Sequence, residues 1–439
     1  TDPFWLAPHF EKMLYDNALL SRLYLHAYQA TGRPLYRRIA EETLDYVLRE
    51  MTAPEGGFYS TQDADSEGHE GRYYVWTPDE LAAVLGGEDG QQFGRIFGVT
   101  LEGNFEGRSI LHLPRPPEEA GRELGMAPAE LDAFVSSCRA KLLAARAGRT
   151  PPARDEKALA AWNGLMLKSF AEAGAVLDRR DYIAAAERSA DFVLDNLRIN
   201  GRLMRSYKDG RANHKGYLED YAMLADGLLA LYEATFRKHW LDVARELARG
   251  MVELFWSETE GAYYDTGADH ETLVVRPRDV FDNATPSGGA VATEVLLRLA
   301  VLTGERDLAS TAARALRSVR DYMEAAPAGL GHWLCALDFY LSTLKEIAIV
   351  GPWEASRALW GEVFRRYLPN RVVAGWDGAD QLSAESLPLL ANRGMVDGQP
   401  TAYVCQDYVC QLPVTTPEAL AAQQDGEYLL SQVSVTTVG

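Results

Sequence analysis

A helical spacing of small and apolar residues recurs four times along the chain. Counted from Tyr36, Tyr182, Trp240 and Leu308, every copy has alanine four residues later. Apolar or small residues follow at eight and eleven positions after each anchor. Steps of four, four and three trace one face of an α-helix. We therefore predict four similar helices, whose small residues let a neighbouring helix approach closely.

Another apolar helix is predicted just before each of these four. Its four copies cover residues 9–30, 156–177, 217–236 and 285–303. A glycine turn follows the anchor-bearing helix in three copies, at Gly56, Gly201 and Gly261, as expected where a helix ends. Helix pairs that cannot bury their own apolar faces must stack on one another. Stacking in a circle gives an α/α barrel, and an open superhelix is the structural alternative.

The pattern changes in the last hundred residues. A fifth unit is predicted to begin at Gly331, with a helix to about Lys345. Residues 346–351, 372–374 and 402–405 read as short strands, and residues 353–367 as a helix. The sequence thus predicts a mainly α protein over residues 1–345, an (α/α)6 toroid that is either complete or short of one hairpin. An insertion at 54–150 with a β-hairpin at 58–76 interrupts it, and a small α/β element over 346–439 follows.

Charge and hydropathy exclude several classes of function. The 439 residues carry a formal net charge of −19, and an acidic surface repels phosphate backbones, so we expect no nucleic-acid partner. There is no apolar run of about 18 residues, so no membrane span is expected. The first residues lack the basic and apolar stretches of a signal peptide.

The chain has four cysteines, at positions 138, 335, 405 and 410, and no Cys-x-x-Cys motif. So few cysteines fit a reducing compartment, and we expect a cytoplasmic protein. The five-residue step from Cys405 to Cys410 matches no standard zinc or redox motif. We expect reduced, structural cysteines here, with a redox pair as the alternative.

Several short motifs together resemble a known family. They lie at residues 5–18, 57–68, 73–77, 103–107, 162–165, 218–222, 282–288 and 402–405, with Cys410. This set is similar to the C-terminal part of a thioredoxin-domain-containing family of the spermatogenesis-associated and YyaL type. The resemblance implies a barrel like those of N-acylglucosamine 2-epimerases and six-hairpin glycosidases. It also implies a thioredoxin-like domain and a first hairpin before residue 8, and we expect this chain to be without both. An incomplete ring would leave helix faces open to a thioredoxin-like partner or a second copy of the chain.

In such toroids the inner helices begin at one rim, where polar residues are candidates for a site. His9, Glu11, Lys12, Asp16 and Asn17 lie at the first of these starts. A histidine beside a carboxylate can act as a general base, because its pKa lies near neutrality. We take His9 and Glu11 as candidate catalytic residues and the other three as candidate ligand-binding residues. The alternative is an ion-pair network that caps the helix.

Matching starts in the other units carry a similar set of residues. The candidates for ligand binding are Trp162, Asn163, Glu219, Tyr221, Asp282 and Asn283, and Asp220 is a candidate catalytic carboxylate. Aromatic rings stack on sugar faces, and amides and carboxylates hydrogen-bond hydroxyl groups. Simple helix capping is the alternative for the polar members.

The acidic segment at 63–68 resembles a cation loop but lacks the twelve-residue frame of an EF-hand. We therefore predict no metal and no other cofactor. Asp63 and Asp65 are instead expected in a polar turn that contacts the ligand. The resemblance to epimerases, which use two histidines for proton transfer, suggests His214 and His332, although no local motif supports the assignment.

Two functions remain open. The first is a carbohydrate-active enzyme, such as a sugar epimerase, isomerase or hydrolase, that binds a small sugar-like ligand and works by general acid–base chemistry. The second is a non-catalytic ligand- or protein-binding module of a thioredoxin-like, redox-associated protein.

Overall fold

The computed structural model describes residues 2–272, 274–376, 387–406 and 409–425. The helices are α1 Leu14–Thr31, α2 Pro34–Glu50, α3 Pro78–Leu85, α4 Gly87–Ile96, α5 Pro117–Glu123, α6 Pro128–Arg146, α7 Ala160–Leu177, α8 Arg180–Asn196, α9 Leu218–Thr235, α10 Lys238–Phe255, α11 Gly288–Thr303, α12 Arg306–Ser318, α13 Arg320–Ala325, α14 Gly331–Leu341, α15 Trp353–Arg365 and α16 Pro417–Asp425. The strands are β1 Lys12–Met13, β2 Thr61–Gln62, β3 Asp65–Ser66, β4 His69–Glu70, β5 Arg154–Asp155, β6 Ala158–Leu159, β7 Arg198–Ile199, β8 Arg202–Lys208, β9 Arg211–Lys215, β10 Trp256–Ser257, β11 Ala262–Tyr263, β12 Lys345–Val350, β13 Arg371–Trp376, β14 Thr401–Gln406 and β15 Val409–Cys410.

The chain divides into two compact units. One comprises Thr1–Met13 and Thr61–Asp155, and the other comprises Leu14–Ser60 and Glu156–Gly439. The first unit covers much of the insertion predicted at 54–150 and also takes in the start of the chain. Within the region predicted as a hairpin at 58–76, β3 and β4 pair directly, with Asp65 opposite Glu70. Strand β2 instead lies between β1 and β5.

The second unit is built from helical hairpins, as the sequence predicts. Helices α1, α7, α9 and α11 each pack against the helix that follows in the chain, and neighbouring inner helices pack against one another. Helix α14 continues the series beside α11. The repeated alanines Ala40, Ala186, Ala244 and Ala312 have no exposed surface. The mainly helical class and the α/α toroid are therefore confirmed, and the strands form small sheets.

Close contact between α7 and α9 depends on glycine. A β-carbon at Gly164 would lie 2.5 Å from backbone atoms of Met223 and Leu224. A β-carbon at Gly227 would lie 2.6 Å from the carbonyl oxygen of Gly164. Because real side chains do not approach so closely, these two glycines let the helix backbones touch.

The predicted start of the first inner helix is wrong. Helix α1 begins at Leu14 rather than at residue 9, because Lys12 and Met13 pair with Gln62 and Thr61 as strands. The four-residue spacing of Glu11 and Tyr15 would place both on one helix face, but Glu11 lies outside this helix. The other three inner helices begin within four residues of the predicted positions.

The C-terminal strands and helix form as predicted. The sheet has the order β13-β12-β14-β15, with β12 and β13 parallel and the other pairs antiparallel. Helix α15 joins the two parallel strands, and β13 packs against α9 and α11. The sheet thus adjoins the inner helices. Residues 377–386, 407–408 and 426–439 of the predicted α/β element lie outside the described residues.

One prediction about the cysteines is contradicted. Cys405 and Cys410 are joined in a disulfide, where reduced thiols were expected. The reason is the antiparallel pairing of β14 with β15, which places the two residues directly opposite each other. Cys138 and Cys335 are free thiols. Within the described ranges, no helix is both long enough and apolar enough to cross a membrane.

Candidate functional site in the ring of inner helices

A cavity of about 590 Å³ lies among the five inner helices α1, α7, α9, α11 and α14. Its volume is in the range of small-molecule sites. Ionisable side chains from every one of these helices line it, together with the segment 364–371 between α15 and β13. They include Arg22, His26, Lys168, Glu172, Asp226, Glu233, Glu294, Arg298, His332, Asp338, Arg366 and Arg371. Charged groups within a helical core are costly unless they are paired, so their pairing decides their role.

The first cluster centres on Glu172 of α7. Its Oε2 atom lies 3.0 Å from Nε of Arg22 and 2.9 Å from Nε2 of His26, both on α1. Burial opposes ionisation of Glu172, but Arg22, His26 and Lys168 outweigh it and hold its pKa well below the usual value. Glu172 is therefore a carboxylate at neutral pH. A carboxylate beside Nε2 favours the imidazole form that carries its proton there and leaves Nδ1 with a lone pair.

The second cluster repeats this arrangement on the other side of α9. Nε2 of His332, on α14, lies 3.1 Å from Oε2 of Glu294 on α11. Nε of Arg298 donates to Oε1 of the same carboxylate at 2.8 Å. Burial again opposes ionisation, yet Arg298, Lys168 and His332 hold the pKa of Glu294 well below its usual value. The cavity thus contains two histidine–glutamate pairs, each supported by an arginine.

A buried ion pair joins α7 to α9 between these clusters. Nζ of Lys168 donates to both carboxylate oxygens of Asp226, at 2.9 and 2.7 Å. Both side chains are less than a tenth exposed. Both carboxylate oxygens of Asp226 thus accept a hydrogen bond from the lysine. The pair links the two helices and fixes the position of two charges in the cavity.

Glu233 of α9 differs from the other carboxylates of the cavity. Burial raises its pKa, against the opposing effect of Arg298 and Arg371. Its Oε1 accepts a hydrogen bond from the backbone N–H of Val373 at 3.2 Å. A carboxyl whose pKa is raised beside ionised carboxylates is suited to donate a proton.

The segment 364–371 covers one side of the cavity. Nε2 of Gln29 on α1 donates to the carbonyl oxygen of Phe364 at 2.7 Å. Arg298 on α11 donates to the carbonyl oxygen of Arg371 at 3.1 Å. The ring of Tyr367 lies 4.8 Å from that of His26. The connection between α15 and β13 therefore borders the first histidine directly.

At the starts of the inner helices, most of the predicted residues bind backbone groups. The side chain of Asn163 accepts from the N–H of Phe58 at 2.8 Å and donates to the carbonyl oxygens of Phe58 and Leu159. Asp282 accepts from the N–H groups of Ser287 and His332. These side chains fix the chain around the helix starts, as capping residues do.

Asp220 and Tyr221 also contact their surroundings through hydrogen bonds. Asp220 accepts from the N–H groups of Ala161 and Tyr217 and lies 3.3 Å from Nη1 of Arg205. Its side chain is fully buried, and this burial raises its pKa to about 7 despite the arginine. The hydroxyl of Tyr221 accepts from the N–H of Leu203 at 3.0 Å.

Two of the predicted residues share a smaller pocket. Glu219 and Asn283 line a cavity of about 280 Å³ that also contacts Arg205, Asp265 and Asp279. Glu219 pairs with Arg205 at 2.7 Å, and Asn283 donates to Asp279 at 3.1 Å. Trp162 lies elsewhere, with its ring 4.8 Å from that of Tyr15. The structure therefore brings together only part of the predicted set in one pocket.

The remaining predicted site residues lie in other parts of the chain. Asp16 and Asn17 lie in the first turn of α1. His214 lies on exposed strand β9 with a left-handed backbone, φ +59°. His9, Glu11, Lys12, Asp63 and Asp65 belong to the first unit.

In that unit, Lys12 donates to the carbonyl oxygen of Phe10 at 2.6 Å and lies 3.4 Å from the ring centre of Tyr74. Burial and the charge of Arg146 lower the pKa of Lys12 to about 7. His9, Glu11, Asp63 and Asp65 are exposed there.

Almost none of the ionisable residues of the central cavity was predicted from the sequence, and His332 is the exception. A signal for them was present. Three of the inner helices carry two ionisable residues four positions apart, which places both on one helix face. These pairs are Arg22 with His26, Lys168 with Glu172, and Glu294 with Arg298. On helices that are otherwise apolar, such a pair indicates a polar stripe inside the ring.

Two curated relatives match almost the whole of this chain. The human protein named spermatogenesis-associated protein 20 is a homologue, 35% identical over 456 residues. The match covers 95% of this chain and 58% of the human protein, so the chain spans less than two thirds of that relative. The rat protein of the same name is 34% identical with the same coverage. No family model matches the sequence.

Among solved structures, a sugar epimerase from a ruminal bacterium is similar over 71% of this chain and 61% of its own. The TM-score is 0.45 and the identity 11%.

Proposed function

We propose that the central cavity binds a small sugar-like carbonyl compound and transfers protons on it by general acid–base catalysis. The observation that carries the proposal is the presence of two histidine–glutamate pairs, His26–Glu172 and His332–Glu294, in one cavity. The reaction class is epimerisation or isomerisation.

Each pair supplies the parts that such a reaction needs. In each pair the ionised glutamate lies within 3.1 Å of Nε2 of the histidine, which leaves Nδ1 to accept a proton. One histidine removes the proton next to the carbonyl group, and the second returns a proton to the resulting enediolate. The arginines around the cavity stabilise the negative charge on the enediolate oxygen. Hydroxyl groups of the ligand match the many donors and acceptors of the cavity wall.

Solvent exchange offers a direct test. The purified chain is incubated in D2O with a panel of aldoses, ketoses and disaccharides, and deuterium at the carbon next to the carbonyl is followed by NMR. We expect exchange with at least one sugar, and a loss of at least about 100-fold in H26N and in H332N, since a general acid or base contributes about 10²–10⁴.

His239 provides the matched control, because it is an exposed histidine on α10 outside the cavity. H239N should exchange deuterium at the rate of the parent chain. If no sugar exchanges, or if H26N and H332N exchange as fast as H239N, the proton-transfer proposal is wrong.

Hydrolysis is the second candidate, and Glu233 is the observation that favours it. A carboxyl of raised pKa beside ionised Glu172 and Glu294 is the acid and base combination of glycosidases. In this case E233Q would lose release of reducing ends from an oligosaccharide, while H26N would retain it. Ligand binding without either reaction would identify a binding module instead.

A further inference from the structure

The disulfide between Cys405 and Cys410 has an arginine beside both of its sulfur atoms. Nη2 of Arg393 lies 3.2 Å from Sγ of Cys405 and 3.1 Å from Sγ of Cys410. This position is set independently of the sulfurs, since Nη1 of the same guanidinium donates to the carbonyl oxygens of Pro388 and Leu389. The backbone of one loop thus holds a positive charge against the disulfide.

A guanidinium group contributes little to a neutral disulfide, because divalent sulfur is a weak hydrogen-bond acceptor. It contributes much more to a thiolate, whose full negative charge it attracts and whose pKa it lowers. The location of Arg393 therefore suits the reduced state of the pair, or the moment at which the disulfide opens. A purely structural disulfide has no need of this charge.

Exposure to solvent differs between the two cysteine residues. Cys410 is exposed at the end of β15, whereas Cys405 is fully buried on β14. An incoming thiol can reach Cys410, and the leaving group is then the buried sulfur beside Arg393. Both conditions of a fast exchange, an accessible sulfur to attack and a stabilised leaving thiolate, are met at one place.

We propose that Cys405 and Cys410 form a reversible thiol–disulfide exchange site, with Arg393 stabilising the thiolate. A thiolate of a dithiol reductant attacks Sγ of Cys410, the disulfide bond breaks, and its electron pair passes to Sγ of Cys405. The second thiol of the reductant loses its proton to solvent and attacks the reductant sulfur that is bonded to Cys410. This step releases Cys410 as a thiolate. The reductant becomes a disulfide, and the pair gains two electrons and, after protonation, two protons.

Other charged and titratable groups contribute to the field at this site. Glu346 of β12 stands opposite Cys405 in the sheet, and its negative charge partly offsets that of Arg393. The ring of Tyr403 lies 5.8 Å from the guanidinium carbon. Burial lowers the pKa of Arg393, against the effect of Glu346.

Reduction of the full chain by dithiothreitol tests the proposal. The reaction is quenched by alkylation at chosen times, and peptide mass spectrometry measures the state of Cys405 and Cys410 separately from Cys138 and Cys335. We expect reversible reduction and reoxidation with an unchanged far-UV circular dichroism spectrum. At pH 7 reduction should be about tenfold slower in R393Q, because the leaving thiolate loses the positive charge beside it. R393K should stay within about threefold of the parent chain.

Y403F is the matched control. The hydroxyl of Tyr403 donates to the carbonyl oxygen of Gly394 at 2.7 Å, so its loss loosens the same loop without removing the charge. Y403F should be reduced at the parent rate within about threefold. If Y403F is slowed as much as R393Q, the arginine acts only by holding the loop and the proposal fails.

The pH dependence of thiol alkylation gives a second measurement. In a C405S variant, peptide mass spectrometry follows the reaction of iodoacetamide with Cys410 separately from Cys138 and Cys335, and the apparent pKa of Cys410 follows from the rate. This pKa should rise by about one unit when R393Q is added to C405S. An unchanged pKa, or a disulfide that opens only when the circular dichroism signal is lost, would overturn the proposal.

Discussion

Polar residues at the starts of the inner helices have a different role from polar residues further along the same helices. At the helix starts, Asn163, Asp220 and Asp282 direct their oxygens to backbone N–H groups. Further along the same helices, Glu172 and Glu294 pair with other side chains around an open volume. A side chain that satisfies buried backbone groups is fully occupied by that task. The second region keeps its paired side chains next to a volume of about 590 Å³ that a ligand can enter.

Breaking the ion pair in the cavity should have the largest effect on stability. D226A leaves the ammonium group of Lys168 buried without its partner, and we expect a loss of about 3–5 kcal/mol in the free energy of unfolding. Urea denaturation with an unchanged m-value measures it. The double variant K168M/D226L should recover most of this loss. A loss below about 1 kcal/mol in D226A would mean that the cavity is as well hydrated as the surface.

The pH dependence of stability separates the helix starts from the cavity. The pKa of Asp220 is raised from its usual value to about 7, so the folded chain binds more protons than the unfolded chain between about pH 4 and 7. The free energy of unfolding should therefore fall as pH rises through this window, by an amount on the order of 4 kcal/mol.

Urea denaturation at several pH values, compared between the parent chain and D220N, isolates this contribution. The stability difference between the two should shrink as pH rises from 4 to 7 and then stay constant. Parallel curves would show that Asp220 is ionised in the folded chain throughout, and that its three donors outweigh its burial.

Removing a side chain that binds backbone should also be costly. N163A leaves the N–H and carbonyl of Phe58 without the contacts that the amide supplies, and we expect a loss of about 2–3 kcal/mol. N196A removes a single half-buried bond to Phe192 and should cost less than about 1 kcal/mol. Equal losses in the two variants would contradict the structural role assigned to Asn163.

The smallest expected loss comes from the contact between α7 and α9. G164A places a β-carbon against the backbone of α9 and should reduce the free energy of unfolding by about 1–3 kcal/mol. Gly361, inside α15, offers open space to a β-carbon, so G361A should stabilise the chain by about 0.5–1 kcal/mol. Calorimetry of both variants checks the opposite signs. A stabilised G164A would mean that these helices separate easily.

The sequence was sufficient to predict the helical hairpins, because the alanines at a fixed spacing reflect close packing that every copy needs. The strands at 346–351 and 402–405 were also visible as short β-branched runs. Most residues of the cavity were not predicted, since pairs such as Lys168 and Glu172 look like ordinary solvent-exposed pairs when one helix is considered alone. Only the closure of several helices places such pairs in a common interior.

The pairing of Cys405 with Cys410 was missed for a related reason. A step of five residues identifies a pair only when the strand register is known, and that register is a property of the sheet. His9 and Glu11 were placed on a helix because the apolar spacing continues through them. In the structure Lys12 and Met13 pair as a strand, so helix α1 begins only at Leu14.

The segment 364–371 meets the inner helices mainly through its own carbonyl oxygens, at Phe364, Arg366, Pro369 and Arg371. Carbonyl groups are the same in every amino acid, so this attachment survives substitution of the side chains that face the cavity. Related chains can therefore differ in the ligand that they bind at this side of the cavity, while the segment 364–371 keeps its position.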